Sequence, residues 1–158
     1  MRFLKTNSGK KGEGMPVVRN QMFYFKEGFC WSAVNTIFLK CRLKLKSIND
    51  VQSMALYPFE NGIPAYYFVC LINSSFVSHY VNDFLNNTSI FQINDARKIP
   101  IIIPSKDELE RAYYIYQTGI SLMKVIQSSH LSMEYQNNKL LELQNCLDDF
   151  VLKLYASH

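Results

Sequence analysis

The sequence predicts an α+β fold. An irregular mixed β-sheet with packed helices is expected over residues 1–104, followed by a C-terminal helical hairpin over 105–158. Three observations carry that expectation. Short aromatic and β-branched runs broken by charges fill the stretch from Val17 to Phe59. A helical period takes over after Asn73. A capping box at Ser105 then opens a long helical tail.

Residues 1–15 include "TNSGKKGEGMP", a Gly/Lys/Ser-rich stretch expected to be a flexible loop. Its glycines lack the spacing of a phosphate-cradling loop. The runs "VV", "MFYF", "FCW" and "TIF" between Val17 and Arg42 read as short strands. "DVQSMALYPF" reads as another, closed by Pro58 and an Asn61-Gly62 turn. None is long enough for a regular barrel. Pro64 suits a first helical position, and the segment 64–72 fits either strand or helix. Asn73 or Ser74 can cap the next helix, whose apolar residues 76, 77, 80, 81, 84 and 85 form one face before Asn86-Asn87 stops it.

The stretch "NTSIFQINDARKIPIIIP" (87–104) sets two prolines and several isoleucines behind a polar elbow. Proline fixes φ and removes a donor, so Pro100 and Pro104 favour an extended edge that cannot continue as helix. The isoleucines are expected to fill a junction core, with Asn94, Asp95 and Arg97 hydrogen-bonding the elbow. Ser105 and Glu108 then satisfy each other's exposed amides, and Asp107 and Glu108 suit the helix dipole. Leu109, Ala112, Tyr113, Tyr116, Ile120 and Met123 make one stripe. After a break near residues 128–132, Leu140, Leu143, Leu147, Phe150 and Leu154 repeat at heptad-like spacing, fit for a neighbouring helix or a second chain. Asp148-Asp149 reads as a solvated face.

No apolar run approaches the roughly 20 residues that cross a bilayer. The N-terminus lacks the apolar core of a signal peptide. Cys30, Cys41, Cys70 and Cys146 form no Cys-x-x-Cys pair and His79, His130 and His158 are scattered, so no metal site is expected. Buried free thiols in a reducing cytoplasm are the simpler reading. There is no Glu-x-Lys, no Asn-Pro-Pro-aromatic tetrapeptide and no Gly-x-Ser-x-Gly, so no catalytic residue is assigned.

The charge is unevenly placed. Residues 1–46 hold ten Lys and Arg against Glu13 and Glu27, while residues 47–158 hold seven against eleven acidic groups. The first third is therefore the part expected to meet a polyanion, unless it is merely a solvated basic edge. Its cations are interleaved with aromatics. The candidate nucleic-acid ligands are Lys10, Lys11, Arg19, Asn20, Gln21, Lys40, Arg42, Lys44 and Lys46, with Arg97 further on. Lys and Arg hold phosphates, Arg pairs with guanine, and Asn or Gln pairs with adenine.

Four blocks in order resemble the C-terminal target-recognition region of adenine-specific DNA methyltransferases and fused type II restriction-modification enzymes. They are "FKEGFCWS" (25–32), "NDVQSMALYP" (49–58), "YYFVCLINSSFVSHYVNDFLNNT" (66–88) and "FQINDARKIPIIIP" (91–104). A looser likeness reaches the specificity subunits of type I systems, where a similar turn precedes a long helix. The likeness covers residues 20–104 and the tail by arrangement only. It implies a DNA target-recognition domain over 1–104 and a helical spacer over 105–158, in a cytoplasmic, nucleoid-associated bacterial protein. It further implies double-stranded DNA and a methyltransferase domain or subunit as partners. S-adenosylmethionine would bind that parent domain, with no cofactor in this chain, which should not methylate alone. A different expectation remains beside it: an assembly module that docks or self-associates through its C-terminal helices, with incidental DNA affinity. RNA binding is a weaker third, since no aromatic RNA-recognition block occurs.

Overall fold

A computed structural model of the chain describes residues 21–35, 38–48, 53–57, 62–129 and 131–157. The expected 1–15 loop, the strand run at Val17 and the Pro58–Asn61 part of the predicted turn lie outside them. The fold is α+β, as the sequence predicts. Strands β1 (Gly28–Ser32), β2 (Cys41–Lys44) and β3 (Ser53–Leu56) form an antiparallel sheet in the order β2-β1-β3. The "MFYF" run is not a strand: Gln21–Phe23 is a 3-10 turn, held where the Phe23 ring stacks on Tyr57.

Register explains which sheet face is buried. Phe29 pairs with Leu43 and Leu56, and Trp31 with Cys41 and Met54. Side chains alternate along a strand, so these six share one face and pack against helix α1 (Ala65–Ile72). Trp31 is buried and donates its indole N–H to the Phe91 carbonyl at 3.0 Å. Gly28 is needed at the start of β1, because a Cβ there would sit 2.4 Å from the Leu56 carbonyl oxygen.

The ambiguous segment 64–72 is helical, with Pro64 at its N-cap. Ser74 then caps α2 (Ser75–Tyr80) by accepting the Val77 N–H. A π-turn, Val81–Leu85, follows. Its extra residue per turn rotates the predicted apolar face: Val77 and Val81 are buried, but Phe84 points to solvent. The short helix α3 (Ile93–Ala96) is the polar elbow. Asp95 does hold it, accepting from the Gln92 N–H at 3.0 Å and the Asn86 amide at 2.7 Å. Asn94 and Arg97 instead face solvent.

The run 99–104 lies in no helix or strand and is covered unevenly. Ile99 is buried and Ile102 joins the helical core, whereas Ile101 and Ile103 are exposed, so only half of the expected junction filling occurs. Its carbonyls are met by tyrosines: Tyr67 Oη donates to Ile102 O at 2.9 Å and Tyr155 Oη to Pro100 O.

Ser105 and Glu108 form the predicted capping box for α4 (Lys106–Ser128), which reverses into α5 (Met133–Ala156). At about 1.5 Å per residue each helix is roughly 35 Å long. Their proximal half buries Ala112, Ile115, Leu147, Phe150, Val151 and Leu154 against Tyr67, Cys70 and Leu71 of α1. The predicted stripes therefore need correction. Tyr113, Ile120, Met123 and Leu140 are exposed, and Ile115 and Val151 take core positions. Helix α1 reaches only the proximal turns, so it decides which residues are covered there and leaves the distal ones open. Asp148 is also not simply solvated. It accepts the Ser75 N–H at 2.7 Å and the Ser75 hydroxyl at 2.8 Å, joining α5 to the start of α2.

Candidate nucleic-acid interface

With Cys41 and Leu43 turned into the core, Arg42 must project from the other sheet face, and Lys40 shares its parity. Both are exposed, as is Lys46 beyond the strand. No carboxylate among the described residues pairs with any of the three. Across the sheet, Arg42 lies beside Cys30, which in turn lies beside Ala55, with Ser32 opposite Ser53. Cys30 is itself buried on that face, while Arg42 stays exposed.

Lys44 behaves differently, and the surface role expected of it is corrected. It is 3% exposed. Its ammonium donates to Lys26 O at 2.7 Å, Ser47 O at 2.7 Å and Leu45 O at 3.3 Å, using all three protons. The Tyr57 ring lies 5.4 Å from the same Nζ. Three carbonyl dipoles and an aromatic face replace the water that a buried ammonium needs, with no carboxylate among the described residues beside it. Lys44 thus fastens the loop after β2 to the loop before β1.

That fastening creates an edge the sequence did not single out. Phe25 N–H donates to Ser47 O at 3.2 Å, so both loops are tied at two points. Lys26 is exposed, with its ammonium 5.7 Å from the Phe23 ring centre. In the sequence Lys26 is only one member of the basic surplus, and its spacing from Lys46 gives no hint that they share a loop pair.

The other candidates are dispersed. Gln21 is exposed on the 3-10 turn whose Phe23 stacks on Tyr57. Arg97 is exposed at the end of α3, which packs beside β3, the sheet edge opposite β2. Two strand spacings, about 10 Å, separate those edges, so Arg97 does not join the Arg42 cluster. Lys10, Lys11, Arg19 and Asn20 lie outside the described residues.

No chemistry of another kind competes for this surface among the described residues. Burial pushes the Cys70 thiol up to about 12 and the Cys41 thiol further, so both are protonated core groups rather than nucleophiles. Among the described residues, no group of His, Cys, Asp and Glu is arranged to hold a metal ion. No helix among them is long and apolar enough to cross a membrane. The chain matches no protein-family model and no curated protein.

Proposed function

We propose that the chain is a sequence-specific DNA-recognition domain of a bacterial restriction-modification adenine methyltransferase, non-catalytic by itself. The observation that carries the DNA part is the exposed set Lys40, Arg42 and Lys46, which no carboxylate among the described residues pairs, with Lys26 across the fastened loops. Exposed cations suit a phosphate backbone, whose binding they drive by releasing counterions. The restriction-modification part rests on the resemblance of the four sequence blocks. On this reading a methyltransferase domain or subunit supplies S-adenosylmethionine and the opposite wall of the cleft.

The test is a salt titration of duplex binding by fluorescence anisotropy. Replacing Lys40, Arg42 and Lys46 together by Ala should weaken binding and flatten the log–log salt slope by about 0.9 for each phosphate no longer neutralised. Lys44→Met should leave that slope alone and lower stability by about 1–3 kcal/mol, since three buried carbonyls lose their donor. An unchanged slope in the triple variant would place the DNA face elsewhere.

An assembly module is the second reading, favoured by the distal hairpin. There Met123, Val125, Met133 and Leu141 are all exposed. Wild-type protein that sediments as a concentration-dependent dimer and has no salt-dependent duplex affinity would support it instead.

A further inference from the structure

Phe25 is the one non-glycine residue with positive φ among the described residues, at 59°. That region suits glycine, and a side chain held there strains the backbone unless the surroundings impose it. Here the surroundings do. The Phe25 N–H is held by Ser47 O, and the adjoining Lys26 carbonyl is held by the buried Lys44 ammonium, which also takes Ser47 O. The left-handed turn does not hide the ring: Phe25 is 60% exposed. An apolar ring on a rigid, strained elbow gains nothing for the fold by facing water. It does gain a fixed direction.

Three exposed charges flank the elbow, the cations Lys26 and Lys46 and the carboxylate of Glu27, and the cations prevail. Lys26 follows Phe25 directly, Lys46 precedes the residue that anchors it, and both ammonium groups are at the surface. A protein groove receiving an aromatic anchor does not call for a lysine on either side, whereas a base step flanked by two phosphates does. We propose that Phe25 is a wedge that stacks into an opened base step of duplex DNA while Lys26 and Lys46 hold the adjoining phosphates. Affinity at such a site combines aromatic stacking with phosphate contact, and prying a step apart kinks the duplex. This inference rests on the DNA-binding reading above and adds a contact residue to it.

The experiment compares a random-sequence 30-base-pair duplex with the same duplex carrying one central abasic site, where the opening is already made. Wild-type protein should prefer the abasic duplex by about fivefold or more. Phe25→Ala should lose that preference, and Phe25→Trp should keep it. Phe25→Gly, which relaxes the backbone, should melt no lower than wild type yet lose the preference as Phe25→Ala does, separating DNA binding from folding. Equal wild-type affinity for the two duplexes would overturn the wedge while leaving the DNA reading intact. Absence of binding to either would overturn both. Unchanged abasic preference in Phe25→Ala would assign it to another residue and overturn the proposal.

Discussion

The side-chain amide of Asn73 pairs with both backbone polar groups of Cys41, accepting from its N–H at 2.7 Å and donating to its C=O at 2.8 Å. A sheet edge presents such groups in a row, and left bare they recruit other strands. Asn73 meets them as a neighbouring strand would, from the C-cap of α1. Its own carbonyl accepts from Gln144 at 3.2 Å, so one residue ties the edge of β2 to both α1 and α5. The strand that carries Arg42 is thereby fixed relative to the helical hairpin.

Asn73→Ala should therefore destabilise the protein by about 2 kcal/mol, with two hydrogen bonds removed and two partly buried backbone groups left to find water. Asn73→Asp should be no better, because a carboxylate can accept from the Cys41 N–H but faces the Cys41 carbonyl with like polarity. Urea denaturation gives the comparison. A midpoint within error of wild type for both variants would mean that the edge is satisfied without the carboxamide.

Stability should fall on the alkaline side. Burial raises the Cys70 thiol from 9.0 to about 12, and burial with the nearby Tyr80 hydroxyl raises Tyr155 from 10.0 to about 12. The Cys41 thiol and the Tyr67 hydroxyl are pushed up further, again mainly by burial. Between the unfolded and folded values the unfolded chain has released these protons and the native protein still holds them. The native state then binds more protons, and stability decreases as pH rises. It should be level below about pH 9 and decline above it, by at most roughly 1.4 kcal/mol per pH unit for each buried thiol in its window and by less for the two tyrosines, whose hydroxyls solvent partly screens. Denaturant midpoints measured from pH 7 to pH 11 check this, with Cys70→Ala expected to lose part of the slope. A flat profile to pH 11 would show these groups to be open to solvent.

Much of the scaffold was legible because its signals are local. Ser74 and Ser105 cap their helices through bonds three residues away, and Pro64 and the break near residue 130 fall where the chain turns. What could not be read depends on partners far along the chain. Lys44 has the same parity as Lys40 and Arg42 and belongs to the same basic run, and only the carbonyls of Lys26 and Ser47 make it a buried fastener. Asp148 has the look of half an acidic pair on a polar helix face, but Ser75, 73 residues earlier, supplies its donors. Phe84 fits a helical period until the π-turn rotates it outward, and no composition rule announces that turn. Of the candidate interface, the exposed Lys40, Arg42 and Lys46 were readable from charge. The Phe25 elbow was not, because its left-handed turn is set by tertiary hydrogen bonds rather than by a glycine.

Two glycines make opposite predictions from the same substitution. Gly119 lies inside α4, where Gly costs about 0.8–1.0 kcal/mol relative to Ala. The nearest atom to an added Cβ is the Leu143 Cδ2 methyl at 3.4 Å, the end of a side chain only half-buried between the helices. A small rotation of Leu143 makes room, so Gly119→Ala should stabilise the protein by about 0.5–1 kcal/mol. In Gly28→Ala the methyl would instead meet the Leu56 carbonyl at 2.4 Å and the Tyr57 ring at 2.9 Å. The carbonyl belongs to the paired strand β3 and has no rotamer to change, so the sheet itself must part, at a cost of about 1–3 kcal/mol for overpacking. Tyr57 also flanks the Lys44 ammonium, so the damage should spread to the Phe25 elbow. Thermal melts of the two variants should move in opposite directions. A lower melting temperature for Gly119→Ala would mean that α4 and α5 pack there too tightly for Leu143 to yield.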